Sequence, residues 1–208
     1  MRPLHPPRPE SVARVDAESS SESDNAAAHA RGGRDLAGLS PRDTVRSGLA
    51  HVVEGHRVFT QLDVIDNLLL AAYDLPRAER NVRVEEVLML FPEIATKRHE
   101  RAAWLSGGQQ QILAVAQGLV RRPKMLMLDE PSAGLSPVLV DRVLVVVQRL
   151  REAGTAVLLV EQLIEKALAL ADRVYALARG GIVLEAQAKE ADLPHRLEHA
   201  YLATAHVN

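Results

Sequence analysis

Apolar residues in this chain form short continuous runs and longer periodic stretches, and the two patterns predict different elements. Three short runs, at 49–53, 125–128 and 156–160, are typical of strands buried within a sheet. Between the first two runs, apolar residues recur three or four positions apart at 62–73 and 78–91, as in amphipathic helices. Such alternation of strands and helices predicts an α/β fold with a mainly parallel sheet.

Pro, Gly and Ser mark the ends of the remaining elements. One helix is predicted over 106–122, because its leading Ser caps free N–H groups and Pro123 ends it. Another is predicted over 137–153, beginning on a Pro and ending at Gly154. A loop leading to a short helix is predicted at 33–48 and a further helix at 163–171. A hairpin is predicted at 173–185 and a peripheral helix at 191–203.

The first 29 residues differ in composition from the rest. Several prolines are followed by the acidic, Ser-rich stretch 16–24 and then by small residues, so this leader is predicted to be disordered and to pack against nothing. It lacks the apolar centre of a signal peptide. The chain therefore divides into a low-complexity leader at 1–31, a folded domain at 32–190 and a peripheral C-terminal helix at 191–208. The folded domain contains a helical subdomain at about 62–105.

Composition and charge exclude several classes of protein. The net charge of −2 gives no field that would attract nucleic acid, so no nucleic-acid partner is expected. The chain has no Cys, which excludes disulfides and thiolate chemistry and is consistent with a reducing cytoplasm. Its apolar runs are shorter than the roughly 18 residues that a membrane span needs, so any membrane role requires a partner.

Polar residues with chemical potential follow two of the predicted strands. Asp129 and Glu130 follow the run at 125–128, and Glu161 and Gln162 follow the run at 156–160. Because parallel strands end at the same sheet edge, these side chains should meet there, where a metal ion and a water-activating base are expected. Ser-Gly-Gly at 106–108 opens a helix, whose N-terminus favours an anion.

Three motifs together resemble those of ATP-binding cassette (ABC) ATPases. Leu105-Ser-Gly-Gly-Gln109 is similar to the family's signature motif, Met125–Glu130 to its Walker B strand, and Ser132–Leu135 to the loop that follows. The motifs occur in the family's order and spacing. The resemblance covers about residues 32–190 and implies a P-loop-NTPase-like ABC ATPase fold that is incomplete at its N-terminus.

The resemblance also implies roles for individual residues. Asp129 would hold Mg²⁺, Glu130 would polarise the attacking water, and Gln162 would stand at the family's switch position. The signature residues would contact ATP bound on the opposite subunit, chiefly through Ser106 and Gly108. The residues expected to bind the nucleotide are Leu105, Ser106, Gly107, Gly108, Gln109 and Glu54.

Two of these positions depart from the common pattern of the family. Glu54 occupies the Q-loop position, where most members carry Gln, and a carboxylate cannot donate a hydrogen bond as an amide does. Gln162 occupies the position of the switch His and does not titrate near neutral pH. The sequence Val-Glu-Gln at 160–162 resembles the ATP-binding subunits of branched-chain amino-acid importers.

The phosphate-binding loop, Gly-x-x-x-x-Gly-Lys-Ser/Thr, is missing from the sequence. The chain has four Lys residues, at 97, 124, 166 and 189, and none follows a Gly. Three explanations stay open: a truncated or frame-shifted member, a fragment completed by another polypeptide, or a degenerate subunit that only binds and signals. The low-complexity leader favours truncation.

The resemblance predicts an ATP-hydrolysing subunit of an ABC importer, with branched-chain amino acids as the expected cargo. Its expected cofactors are ATP and Mg²⁺, and its expected partners are transmembrane permease subunits and a second ABC subunit, identical or different. It would lie in the cytoplasm against the inner face of the membrane. The alternative is a non-catalytic assembly or regulatory module with the same fold.

Overall fold

The computed structural model describes residues 10–15, 30–31, 34–36, 38–55 and 57–205, with side chains described for 36, 38–55 and 57–200. The predicted α/β fold is confirmed: a six-stranded sheet in the order β4-β5-β6-β1-β7-β8 is covered by helices. Among the described residues, no helix is both long enough and apolar enough to span a bilayer.

The predicted strands and helices occur in the predicted order, and the structure adds three N-terminal strands and one four-residue helix. The strands are β1 Glu10–Val15, β2 Ala30–Arg31, β3 Arg34–Asp35, β4 Leu49–Val52, β5 Met125–Asp129, β6 Ala156–Val160, β7 Arg173–Ala178 and β8 Gly181–Gln187. The helices are α1 Pro41–Arg46, α2 Val64–Ala71, α3 Arg77–Leu90, α4 Pro92–Ala95, α5 Gly107–Leu119, α6 Pro137–Glu152, α7 Ile164–Leu170 and α8 Leu193–Ala205.

The sheet is parallel in one half and antiparallel in the other. β4, β5 and β6 are parallel, with Met125 opposite both Leu49 and Ala156. β7 and β8 form the predicted antiparallel hairpin. β1 lies between β6 and β7 and is antiparallel to both, so β6 and β7 run in the same direction. The carboxyl ends of β4, β5 and β6 therefore share one edge.

The leader differs from its prediction where the structure describes it. Residues 10–15 pair with β6 and β7, so the expectation that the leader packs against nothing is wrong for this segment. β6 and β7 each have a backbone edge that needs a hydrogen-bonding partner, and an extended segment containing Val12 and Val15 supplies one. Residues 30–31, predicted as part of the leader, also pair with residues 34–35, predicted as loop, in a two-stranded ladder. The rest of the leader lies outside the described residues.

Helix α5 packs on the parallel half of the sheet and forms the centre of the core. Its side chains Ile112, Leu113 and Ala116 are fully buried. Gly118 lies so close to β4 that a Cβ there would be 2.7 Å from Val52 Cγ2. The helix ends at Leu119 rather than at the predicted Arg122, because Arg122 turns into the left-handed region at φ 47° before Pro123.

A group of short helices lies between β4 and α5, where the sequence predicts a helical subdomain. It contains α2, α3, α4 and a 3-10 turn at Ala102–Trp104. Backbone hydrogen bonds tie its two ends together, since Val64 N donates to Glu100 O at 3.1 Å and Ala102 N donates to Leu62 O at 2.9 Å. The subdomain therefore begins and ends at neighbouring points on the core.

Candidate functional site

The structure brings the predicted acidic and amide residues to one edge of the sheet. Asp129 is the last residue of β5, and Glu161 directly follows β6. Glu54 comes two residues after β4, whose carboxyl end lies at the same edge because β4 pairs in parallel with β5. The prediction that Asp129 and Gln162 lie at the same edge is confirmed.

Glu130 forms a sharp corner immediately after β5. Its backbone adopts a left-handed conformation with φ 45°, which is uncommon for a residue with a side chain. The corner is held because Glu130 N donates to Val160 O at 2.9 Å. The side chain of Gln162 donates from Nε2 to Glu130 Oε1 at 2.6 Å. The predicted water-polarising acid and the predicted switch residue are thus in direct contact.

An open pocket of about 460 Å³ lies beside this corner. Its wall is apolar over Leu135, Val140 and Leu163, and its polar lining residues are Glu130, Ser132, Glu161, Gln162 and Lys166. Lys166 forms an ion pair with Asp141 of α6. The pocket therefore combines two carboxylates and an amide with a partly apolar wall.

Glu161 is the buried acid of this cluster, with 3% of its surface exposed. Its Oε1 accepts a hydrogen bond from Ser132 Oγ. The backbone N–H groups of Ser132 and Leu163 also donate to the carboxyl. Burial raises the pKa of Glu161, the nearby charge of Glu130 adds to the increase, and the hydrogen bonds oppose it.

The signature residues form a capped helix start. Ser106 is the N-cap of α5, and its Oγ accepts from Gln109 N at 3.3 Å. Gln109 completes a capping box, because its Oε1 accepts from Ser106 N at 3.0 Å. Ser106 and Gly107 are exposed. The free N–H groups and the dipole of this first turn therefore face solvent, where an anion is favoured.

Two signature residues have a packing role that the resemblance did not imply. Leu105, expected among the nucleotide-binding residues, is 6% exposed, so its side chain anchors the motif in the core. A Cβ at Gly108 would be 2.8 Å from Leu139 Cδ1 and 3.3 Å from Leu135 Cδ2. Gly108 therefore also allows the signature helix to approach the segment after β5 closely.

The loop after Glu54 is held by a residue that the sequence analysis missed. Asn67 of α2 is fully buried. Its Oδ1 accepts from Phe59 N at 2.8 Å, and its Nδ2 donates to the carbonyls of Phe59, Leu62 and Asp63 at 3.0, 3.3 and 3.0 Å. The sequence signal for this role was a single Asn within the apolar stretch 62–73. The sequence analysis likewise noted Glu161 and Ser132 but assigned them no individual role.

The residues present fit a Mg²⁺ ion only in combination with a nucleotide. Among the residues whose side chains are described, no group of three or more His, Cys, Asp or Glu is arranged to hold a metal. Asp129 and Glu130 are partly exposed carboxylates at the strand end. Mg²⁺ in nucleotide sites is typically bound by one or two carboxylates, phosphate oxygens and waters, and two such carboxylates are available here.

Fold and site together define a nucleotide-binding cassette. The structure is similar to a dimeric ATP-binding cassette solved in a post-hydrolysis state with ADP and Pi, with a TM-score of 0.68 and 20% identity over 77% of this chain and 72% of that one. The family model described as ABC transporter matches residues 20–133. The chain belongs to the ABC transporter ATP-binding family.

Two curated relatives are more specific in name. The chain is 41% identical over 152 residues to the high-affinity branched-chain amino acid transport ATP-binding protein BraG of Pseudomonas aeruginosa, covering 73% of this chain and 65% of BraG. It is 37% identical over 163 residues to the probable branched-chain amino acid transport ATP-binding protein LivF of Archaeoglobus fulgidus, covering 76% and 67%. The chain thus spans about two thirds of the length of these relatives.

Proposed function

We propose that this chain is an ATP-binding subunit of an ABC importer and supplies the signature half of a nucleotide site shared with a second, intact cassette. The observation that carries the proposal is the first turn of α5, where Ser106 caps an exposed, glycine-rich helix N-terminus. Such a turn favours a phosphate group. In this proposal the phosphate-binding loop of the second cassette binds the triphosphate.

Branched-chain amino acids are the proposed cargo of the importer. The printed names of BraG and LivF, at 41% and 37% identity, support this assignment. Gln162 supports it as well, because Val-Glu-Gln at 160–162 resembles the ATP-binding subunits of branched-chain amino-acid importers.

Roles follow for the residues at the sheet edge in a site that has a complete phosphate-binding loop. Asp129 would hold Mg²⁺, which supplies charge neutralisation on the phosphates. Glu130 would orient the attacking water, with its carboxylate aligned by the Gln162 amide at 2.6 Å. In a pair with one intact cassette, these residues serve the site that lacks the loop, so the functional contribution of this chain is Ser106 and Gly108.

The proposed assembly contains two cassettes beneath two transmembrane permease subunits, at the cytoplasmic face of the membrane. The similarity to a dimeric cassette supports pairing of this kind. The proposal pairs this chain with a paralogue that carries an intact phosphate-binding loop. The rival is a non-catalytic assembly module, which the missing loop also favours.

ATP-dependent association distinguishes the proposal from its rival. The chain would be mixed with an intact cassette of the same transporter and sedimented with and without ATP, and binding of labelled ATP to the isolated chain would be measured separately. We expect no ATP binding by the isolated chain at millimolar ATP and co-sedimentation only when ATP is present. Association that ignores ATP would favour the assembly module, and micromolar ATP binding by the isolated chain would contradict the shared site.

A further inference from the structure

The turn after Glu130 connects the buried acid Glu161 to the signature helix. Ala133 N donates to Glu130 O and Leu135 N donates to Ser132 O, each at 3.0 Å, so residues 130–135 form a tight turn. Gly134 adopts φ 72°, a conformation that favours Gly. The turn is thus internally hydrogen-bonded, and its position depends on what holds its two sides.

Glu161 holds the first side of the turn. Its carboxyl accepts hydrogen bonds from the Oγ and the backbone N–H of Ser132. Glu161 itself is 3% exposed and directly follows β6, which is hydrogen-bonded on both sides, in parallel to β5 and antiparallel to β1. A rigid sheet position is thereby linked to a loop residue through a buried carboxylate, where hydrogen bonds are less exposed to competition from water.

The other side of the turn touches the signature. Leu135 and Leu139 are the side chains nearest to Gly108, at 3.3 and 2.8 Å from the position a Cβ would take. A second contact supports the same region, because Gln109 Nε2 donates to Glu93 O at 3.4 Å and Glu93 pairs with Arg142 of α6 at 3.0 Å. The first turn of α5 therefore rests on the segment whose start Glu161 anchors.

We propose that Glu161 is a positioning residue that fixes the turn at 130–135 through Ser132 and, through Leu135, sets the first turn of the signature helix. The consequence for ATP hydrolysis rests on the proposed function, because Ser106 and Gly108 lie at the start of the signature helix α5. The structural part of the proposal does not depend on it.

Backbone amide exchange in the isolated 208-residue chain tests the positioning without nucleotide or partner. Ser132→Ala removes the hydroxyl that donates to Glu161, and Ser132→Thr keeps a hydroxyl at that position. We expect exchange about tenfold faster in Ser132→Ala at 133–135 and at 109–110, as loss of one buried hydrogen bond predicts. Ser132→Thr should exchange like the wild type. Amides at 114–119 of α5 should stay equally protected in all three proteins.

Two further variants separate positioning from general stability. Glu161→Ala should accelerate exchange at the same amides at least as much as Ser132→Ala, because it also removes the acceptor of the Ser132 and Leu163 N–H groups. Adding Ser132→Ala to it should change little, since the hydroxyl then has no carboxyl to bind. Arg142→Gln, which removes the ion pair to Glu93, should leave exchange at 133–135 unchanged. Unchanged exchange at 109–110 in Ser132→Ala, or acceleration spread evenly over α5, would overturn the proposal.

The functional consequence has its own measurement. In ATPase assays with the intact cassette, Ser132→Ala should lower kcat by about tenfold and leave the KM for ATP unchanged, because the partner binds the nucleotide. A raised KM at unchanged kcat would contradict the transmission to the signature. If the wild-type chain fails to stimulate the partner, the proposed function fails, while the exchange experiment still decides the role of Glu161.

Discussion

Asn67 is expected to hold the loop that follows Glu54, and its removal should be costly. In Asn67→Ala, the Phe59 N–H loses its 2.8 Å acceptor, and the carbonyls of Phe59 and Leu62 lose their donor at a fully buried position. Each unpaired buried polar group costs about 1–3 kcal/mol. Several groups lose a partner here, but water can reach part of this loop, so we expect a total loss of about 2–4 kcal/mol in the free energy of unfolding.

Urea unfolding followed by far-ultraviolet circular dichroism measures this loss. The matched control is Asp66→Ala, an exposed position on the same helix, for which we expect a change within about 0.5 kcal/mol. Asn67→Asp should be less stable than Asn67→Ala at pH 8, because a carboxylate would face three carbonyl oxygens, and it should recover as the pH falls. An Asn67→Ala protein as stable as the control would refute the reasoning.

Two other predictions concern buried positions. Since burial raises the pKa of Glu161, the native state keeps a proton that the unfolded chain releases, and wild-type stability should fall as the pH rises from about 4.3 through the raised native pKa. The stability of Glu161→Gln relative to wild type should therefore increase from pH 4.5 to 8 in urea unfolding, and a pH-independent difference would contradict this. Gly118→Ala should cost roughly 1–2 kcal/mol net of improved helix propensity, because the stiff side chain of Val52 lies 2.7 Å from the new methyl. Gly108→Ala should change the free energy of unfolding by less than about 0.5 kcal/mol, since the end of the flexible Leu139 side chain can move. Equal losses at Gly108 and Gly118 would contradict the inferred close packing of α5 on β4.

The central strands could be predicted closely because their sequence pattern is local. The apolar runs at 125–128 and 156–160 are bounded by Pro, Gly or acidic residues, and the observed strands match them to within one residue. The shared edge of Asp129 and Gln162 follows from parallel pairing alone. The end of α5 was less predictable, because nothing before Pro123 marks the left-handed turn at Arg122.

The contacts that organise the candidate site could not be predicted from the sequence. Ser132 and Glu161 are 29 residues apart, and their hydrogen bond depends on how β5 and β6 pair. The burial of Leu105 depends in the same way on packing against the core. The pairing of residues 10–15 was missed because composition indicates disorder there, whereas the open edges of β6 and β7 favour an added strand.

ATPase activity of a mixed pair tests the central claim most directly. The isolated chain should be inactive, and mixing it with the intact cassette of the same transporter should produce hydrolysis. Ser106→Arg should abolish this activity, because a long side chain blocks the exposed first turn of α5. Glu130→Gln should preserve it, because Glu130 serves the site without a phosphate-binding loop. Hydrolysis by the isolated wild-type chain that is lost in Glu130→Gln would contradict the account.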